Sequence, residues 1–161
     1  MKRKFFAAFL LLCMVMSLVP MTALAAEESW TEVSTAEELS SALVAGGNIK
    51  LIENITVTEA QAWTVEDGVN VVLDLNGHTI SSSYGAINYY LITINGGSMT
   101  IKDNSESKSG KIEATDSSGG YGIQLKGNGS SFTLMGGTIQ TTQETLDIYT
   151  PASGSIVNIS G

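Results

Sequence analysis

The chain has few of the residues on which zinc sites, disulfides and cysteine catalysis depend. Its 161 residues include one cysteine (Cys13), one histidine (His78), one arginine (Arg3) and only 2 prolines. A structural zinc ion needs several cysteine or histidine ligands, so zinc is excluded. Because Cys13 is the single cysteine and lies in an amino-terminal apolar run, a catalytic Cys–His pair and intramolecular disulfides are excluded as well.

The first 25 residues have the organisation of a secretory signal peptide. Basic residues at 2–4 precede an apolar run at 5–19, and Ala23-Leu24-Ala25 supplies a small-x-small cleavage site. The apolar run is shorter than the ~20 residues that a membrane-spanning helix needs. We therefore predict a signal peptide over 1–25, cleavage after Ala25, and a mature protein that is secreted or held at the cell surface.

Charge of positive sign is also scarce. The chain has 8 basic against 16 acidic residues, and its formal net charge is −8 at neutral pH. A mature chain starting at Ala26 would carry only lysines as cations. Because such an acidic surface repels phosphate backbones and anionic lipid, we predict no nucleic-acid partner and no membrane association of the mature form.

What the chain has in quantity is glycine, placed inside a recurring phrase. The phrase is a short alternating strand, a glycine or Asn-Gly corner and a second strand, with copies at 73–80, 93–99 and 132–139 and a partial copy at 157–161. Glycine supplies the positive φ that sharp corners require. Units of this kind cannot bury their apolar face alone and gain a core by stacking on one another.

We predict an all-β fold, a right-handed parallel β-helix with an N-terminal capping helix. This arrangement would stack Ile92 on Ile123 and Leu146, and Ile80 on Ile112 and Ile139. An antiparallel β-sandwich is the alternative, since it also has many short strands and glycine-rich turns. The strands fall in triplets at 63–66, 71–75 and 79–81; 91–94, 99–102 and 111–114; 123–125, 132–134 and 138–140; and finally 146–149 and 156–159.

A single helix is predicted over 36–45. Ser34 or Thr35 followed by Glu37 or Glu38 fits a capping box, an apolar face of Leu39, Leu43 and Val44 follows, and Gly46-Gly47 ends the helix. We expect this helix to cover the amino-terminal end of the barrel. The chain then divides into a signal peptide (1–25), a cap (26–48) and β-helix coils (49–161) that are incomplete at the carboxyl end.

The stretch 33–80 resembles the amino-terminal part of pectate-lyase-like β-helix proteins. It has a helix ending in Gly-Gly, then Ile-x-Leu and Ile-Thr-Val at 49–57, then Leu-Asp-Leu-Asn-Gly-His-Thr-Ile at 73–80. The remainder resembles the Gly-Gly-Thr-Ile repeats of bacterial cell-surface and adhesin-like proteins with that fold. The resemblance implies the fold and no single function, because the same fold carries lyases, hydrolases, tailspikes and adhesins.

The residues that these enzymes use do not come together in the sequence. Glycosidases need two carboxylates at a defined separation, and lyases of this fold use calcium-binding acids with a basic residue, normally arginine. The mature chain would have no arginine, and a lone His78 lacks an orienting partner, so we interpret it as a corner residue. We predict no enzymatic activity and no cofactor. The aspartates are isolated in the sequence, at Asp74, Asp103, Asp116 and Asp147.

The stretch 103–106 is the candidate metal site, because Asp103, Asn104, Ser105 and Glu106 offer oxygen ligands. The stretch lacks the spacing and the glycine of a calcium loop. We therefore interpret 103–109 as a solvated polar loop outside the barrel and predict no metal site.

Three tyrosines are the candidate ligand-binding residues. Tyr84, Tyr89 and Tyr90 lie on and beside a serine-rich corner, and exposed aromatic rings beside hydroxyl groups suit stacking on sugars. The alternative is that such a tyrosine only packs at a strand edge.

The sequence thus favours an exported, non-catalytic β-helix segment of a bacterial surface protein. Its role would be structural or adhesive, with a polysaccharide or a cell-surface glycan as partner. End-to-end self-association, or further coils in a longer protein, would cover the carboxyl end. The alternative function is a truncated polysaccharide lyase or glycoside hydrolase of the pectate-lyase-like fold.

Overall fold

The described part of the chain consists of short strands joined by glycine-marked corners, with one helix near its amino end. The computed structural model describes residues 28–61, 63–84, 90–115, 120–143, 145–148 and 153–160. The predicted signal peptide therefore lies outside the described residues. In chain order the elements are β1 (Trp30–Val33), α1 (Ala36–Ala45), β2 (Gly47–Leu51), β3 (Ile55–Val57), β4 (Trp63–Glu66), β5 (Asn70–Asp74), β6 (Thr79–Ser82), β7 (Tyr90–Asn95), β8 (Ser98–Lys102), β9 (Lys111–Ala114), β10 (Tyr121–Leu125), β11 (Ser131–Leu134), β12 (Thr138–Thr141), β13 (Leu146–Ile148) and β14 (Ile156–Ile159).

These strands form three parallel sheets, which are the walls of a β-solenoid. Sheet A is 6-stranded with the order β1-β2-β5-β8-β11-β14, sheet B runs β12-β9-β6-β3, and sheet C runs β13-β10-β7-β4. From β2 onward, paired strands lie three strands apart along the chain, so successive triplets stack as coils, whereas β1 pairs with β2. The predicted all-β parallel β-helix is confirmed, and the antiparallel sandwich is wrong because the paired named strands run parallel.

The predicted core columns are confirmed by the register of the strands. In sheet C, Ile123 pairs with Ile92 on one side and with Leu146 on the other. In sheet B, Ile112 pairs with Ile80 and Ile139. Side chains on alternate positions of each strand point into the barrel, because successive residues of a strand face opposite sides. The result is one continuous apolar core.

The helix covers the apolar core at its amino-terminal end. Leu39 and Leu43 are buried, as predicted, but Val44 is 69% exposed and does not belong to the apolar face. Thr35 is the N-cap residue, and its Oγ1 accepts a hydrogen bond from the Glu38 backbone N–H at 3.2 Å. Within the described residues, no helix has the length and hydropathy needed to cross a membrane.

The Glu38 side chain also bonds to Ser34, the residue before the N-cap. Its carboxylate accepts hydrogen bonds from the backbone N–H and the hydroxyl of Ser34, at 2.8 and 2.9 Å. Hydrogen bonds from Ser34 favour the ionised form, so the pKa of Glu38 lies below its ordinary value.

Strand β1 was not predicted. It lies before the helix and pairs in parallel with β2, with Val33 opposite Leu51. Sheet A therefore extends one strand beyond sheets B and C at the amino-terminal end. The helix follows β1 directly and contacts β1, β2, β3 and β4.

Burial falls along each column toward the carboxyl end. Ile80 and Ile112 are buried, whereas Ile139, the next residue of their column, is only partly buried. In sheet A, Ile159 follows Leu134 and is 71% exposed, and Ile156 lies opposite Ser131 and is 55% exposed. Ile156 thus occupies an outward position, because its paired residue Ser131 alternates with the buried Phe132.

Candidate functional site

The most organised polar region is the corner between sheets A and B, which we call the Asp corner. It contains Asp74, Asp103, Asn104, Gly77 and Gly110. Asp74 ends β5 and pairs with Lys102, the last residue of β8, so Asp103 begins the corner of the next coil directly beside it. Both aspartates are only 3% exposed. A buried carboxylate must be hydrogen-bonded to be tolerated.

Asp103 connects the two ends of its own loop to each other and to the preceding coil. Its Oδ2 accepts the Gly110 backbone N–H at 2.6 Å, and its Oδ1 accepts the backbone N–H groups of Gly77 at 2.9 Å and Ser105 at 3.1 Å. Burial raises the pKa of Asp103, but the hydrogen bonds from Ser105, Gly110 and Gly77 outweigh it and hold the pKa below its ordinary value.

Asp74 connects its own corner to the following coil. Its Oδ1 accepts the backbone N–H groups of Asn76 and Asn104, each at 3.0 Å, and its Oδ2 accepts the Asn104 side-chain amide at 2.9 Å. The Asn76 side chain in turn donates to the Leu51 carbonyl at 3.0 Å. Consecutive coils are therefore joined at this corner by side-chain hydrogen bonds as well as by the sheet.

The loop between Asp103 and Gly110 closes over the Asp103 carboxylate. Lys108 has a positive φ of 51°, and its Nζ donates to the Asp103 carbonyl at 2.7 Å. The hydroxyls of Ser105, Ser107 and Ser109 form a hydrogen-bonded chain, at 3.3 and 2.8 Å. The interpretation of 103–109 as a solvated loop outside the barrel is wrong for Asp103, which is buried and holds the loop to the coils.

The acidic side chains of this corner are engaged by backbone donors. Sequence analysis treated Asp74 and Asp103 as isolated, and the structure brings them to one corner in adjacent coils. Among the residues that the structure describes, no group of three or more His, Cys, Asp and Glu side chains is arranged to hold a metal ion. Asp116 lies outside the described residues, and Asp147 lies in β13.

His78 lies at the same corner, and its backbone groups form hydrogen bonds there. Its N–H donates to the Leu75 carbonyl at 2.8 Å, and its own carbonyl accepts the Lys111 N–H at 3.0 Å. The ring is half-buried. Lys111 also forms an ion pair with Glu113 on the outer face of sheet B.

Two of the three candidate tyrosines, Tyr84 and Tyr90, lie within the described residues. Tyr90 begins β7 and packs on Tyr121 of the next coil, with ring centroids 5.0 Å apart and an interplanar angle of 44°. Both rings are half-buried, and Tyr84, which follows β6, is half-buried too. Tyr89 lies outside the described residues. The structure thus places Tyr90 in an aromatic pair that the sequence analysis did not identify.

A groove lies at the amino-terminal end, between α1 and β1, and we call it the α1–β1 groove. Its volume is about 490 Å³, and its lining is mostly apolar. A second, smaller depression of about 200 Å³ lies beside the first turn of α1 and is mostly polar. The lining of the first groove includes Thr31 and Glu32 from β1, and Glu37, Glu38, Ala42 and Ala45 from α1.

Comparison with family models, with curated proteins and with solved structures finds no match to this chain. The fold assignment therefore stands on the parallel pairing and the stacked columns described above.

Proposed function

We propose that this chain is an exported, non-catalytic β-helix segment of a bacterial surface protein, with a structural or adhesive role. The Asp corner carries this proposal. A catalytic carboxylate must reach a substrate, but the Asp74 and Asp103 oxygens accept hydrogen bonds from protein amide groups at 2.6 to 3.1 Å. They stiffen the joints between coils, which suits a rod better than an enzyme.

The likeness of the sequence to adhesin-like members of the pectate-lyase-like fold supports the same role. Polar side chains are bonded across the coils on the outer faces, as between Asn95 Nδ2 and Glu66 Oε2 at 2.8 Å. A hydroxyl- and amide-rich outer surface of this kind offers hydrogen-bonding groups to a glycan.

The lack of catalysis is tested with polygalacturonate. We expect no unsaturated oligosaccharides to be released, with or without calcium. Product formation that survives careful purification, and that is lost in Lys111→Ala, would overturn the non-catalytic assignment.

We further propose that Tyr84, Tyr89 and Tyr90 bind polysaccharide. Tyr90 supplies the best-defined surface, because its pairing with Tyr121 fixes the ring while leaving it half-buried. A rigid, amphipathic ring of this kind stacks on the apolar face of a sugar at small entropic cost.

Affinity electrophoresis in gels containing pectin, xylan or soluble cellulose derivatives tests the binding. We expect at least one of these polymers to retard the wild type, with a several-fold weaker interaction in Tyr84→Ala and Tyr90→Ala. Tyr90→Phe is the matched control, since it keeps the ring and should keep most of the binding. Equal retardation of all four proteins, or none in any gel, would exclude the tyrosines as the binding residues.

A further inference from the structure

The α1–β1 groove combines an open strand edge with an apolar floor. Strand β1 is the terminal strand of sheet A and pairs only with β2 among the strands described. The helix lies beside it and leaves a cleft of about 490 Å³. An unpaired edge strand is a template for another strand.

The direction of the free backbone groups follows from the observed pairing. The Val33 carbonyl accepts the Ile52 N–H at 3.0 Å, so Val33 directs its backbone groups toward β2. In a parallel pair the residues of one strand alternate in this respect. Glu32 therefore directs its N–H and carbonyl toward the open edge, where an incoming strand can reach them.

The floor of the groove is made by small side chains. Ala42 is buried and belongs to the apolar core, while Ala45, about one turn further along α1, is exposed. Because neither side chain extends beyond Cβ, depth remains beside β1 for aliphatic side chains of an added strand. Alternate residues of such a strand would point into this cleft.

The rim of the groove is acidic. Glu32, Glu37 and Glu38 contribute carboxylates, and no basic residue is among the residues that line it. Lys50 lies opposite Glu32 in the register of β1 and β2, but the two helical glutamates are on the other side of the cleft. A second copy of the chain would bring the same acidic groups to this edge and would be repelled.

We propose that the α1–β1 groove binds an extended peptide segment of alternating apolar and basic residues, as an added strand of sheet A. Backbone hydrogen bonds to Glu32 supply the pairing. The apolar side chains enter the cleft over Ala42 and Ala45, and the basic side chains meet Glu37 and Glu38. Strand addition of this kind takes affinity from main-chain bonds and specificity from the side-chain pockets.

The probe is a synthetic Lys-Val-Lys-Val-Lys-Val-Lys peptide, with a fluorophore at one end, measured by anisotropy at low salt. Glu32→Pro removes the N–H that faces the open edge, while the bonds of Thr31 and Val33 to β2 remain. We expect it to weaken binding about fivefold, the effect of losing one hydrogen bond of about 1 kcal/mol. Glu32→Ala is the matched control, since it removes the charge and keeps the N–H, and it should weaken binding less.

The charge contribution is tested separately. Glu37→Lys should weaken binding several-fold, whereas Glu53→Lys, an exposed change of the same charge outside the groove, should leave it within about twofold of the wild type at moderate ionic strength, where distant charges are screened. Urea unfolding of each variant confirms that the fold is kept.

Unchanged binding in Glu32→Pro would overturn the strand-addition mode. Equal binding of a Glu-Val-Glu-Val-Glu-Val-Glu peptide would overturn the charge preference. If sedimentation instead shows a wild-type dimer that Glu32→Pro dissociates, the occupant of the edge is a second copy and the peptide proposal is wrong.

Discussion

Replacing Asp103 tests whether the Asp corner holds the coils together. Asp103→Ala removes the acceptor of three backbone N–H groups, those of Gly110, Gly77 and Ser105. Asp103→Asn keeps one carbonyl oxygen and places an amide NH₂ where the second oxygen stood. The two substitutions therefore remove the carboxylate to different degrees at one buried position.

The expected cost follows from the burial of each donor. A hydrogen bond to a charged group contributes about 1.5–3 kcal/mol, and an unsatisfied buried donor costs about 1–3 kcal/mol. The Gly110 donor is buried, whereas Gly77 and Ser105 are half-buried and can recruit water. We therefore expect Asp103→Ala to lower the free energy of unfolding by about 3–5 kcal/mol, and Asp103→Asn by about 2 kcal/mol.

Urea unfolding followed by fluorescence and far-UV circular dichroism measures the effect. Trp63 is 2% exposed and reports on the core. Because solenoids can unfold coil by coil, the two signals must coincide before one free energy is assigned. Glu106→Gln is the matched control, since Glu106 is exposed on the same loop. Its unfolding free energy should stay within about 0.5 kcal/mol of the wild type.

The pH dependence of the difference in unfolding free energy between wild type and Asp103→Asn gives a second test. The folded pKa of Asp103 lies below its unfolded value of about 3.9, so its stabilisation is complete above about pH 5 and is lost as the pH falls through the folded pKa. The gap between wild type and Asp103→Asn should narrow below about pH 5. Glu38, whose pKa is also lowered, is present in both proteins and cancels.

A loss of less than about 0.5 kcal/mol in Asp103→Ala would refute the reasoning, because it would mean that water replaces the carboxylate without cost. A pH-independent gap between wild type and Asp103→Asn would also contradict it.

Three further predictions concern other parts of the chain. Gly110→Ala would place a Cβ 2.6 Å from the Leu75 Cβ and 2.8 Å from the Asp103 Cγ, and we expect a loss of about 1–3 kcal/mol, measured by urea unfolding. We expect the exposed Ile159 side chain to promote self-association and Ile159→Lys to reduce it, and light scattering that shows a monomer in both proteins would contradict this. Intact-mass measurement of the exported protein should give a chain that begins at Ala26, and a retained leader would contradict export with cleavage.

The coils could be predicted from the sequence because two local signals agree. Glycine corners mark where each strand ends, and alternation of apolar and polar residues says which side of the strand is inside. When the corners of successive coils are aligned, one register keeps the apolar residues inside, and it stacks Ile80 on Ile112 and Ile92 on Ile123. Parallel pairing then follows, since equivalent strands of successive coils run in the same direction.

The features that sequence analysis missed carry no such repeated signal. Strand β1 precedes the first repeat, has no glycine corner before it and is recognised only by its pairing with β2. Asp103 is a polar residue after a strand, and the sequence reads the same whether its carboxylate faces water or bonds to Gly110 and Gly77. Val44 directly follows the buried Leu43 and is therefore turned about 100° away from it around the helix, out of the buried face.

The bond between Asp103 and Gly110 has a consequence for how this chain tolerates change. The Asp103 carboxylate fastens both ends of the loop to each other and to Gly77 of the preceding coil, and Asn104 bonds to Asp74. Residues 105–109 therefore lie outside the paired strands. The equivalent corner one coil earlier is shorter, yet the strands on either side of both corners keep the same alignment. Sequence can therefore be inserted at this loop, by duplication in a lineage or by grafting of a foreign epitope, while the rod carries it outward without a shift in its coils.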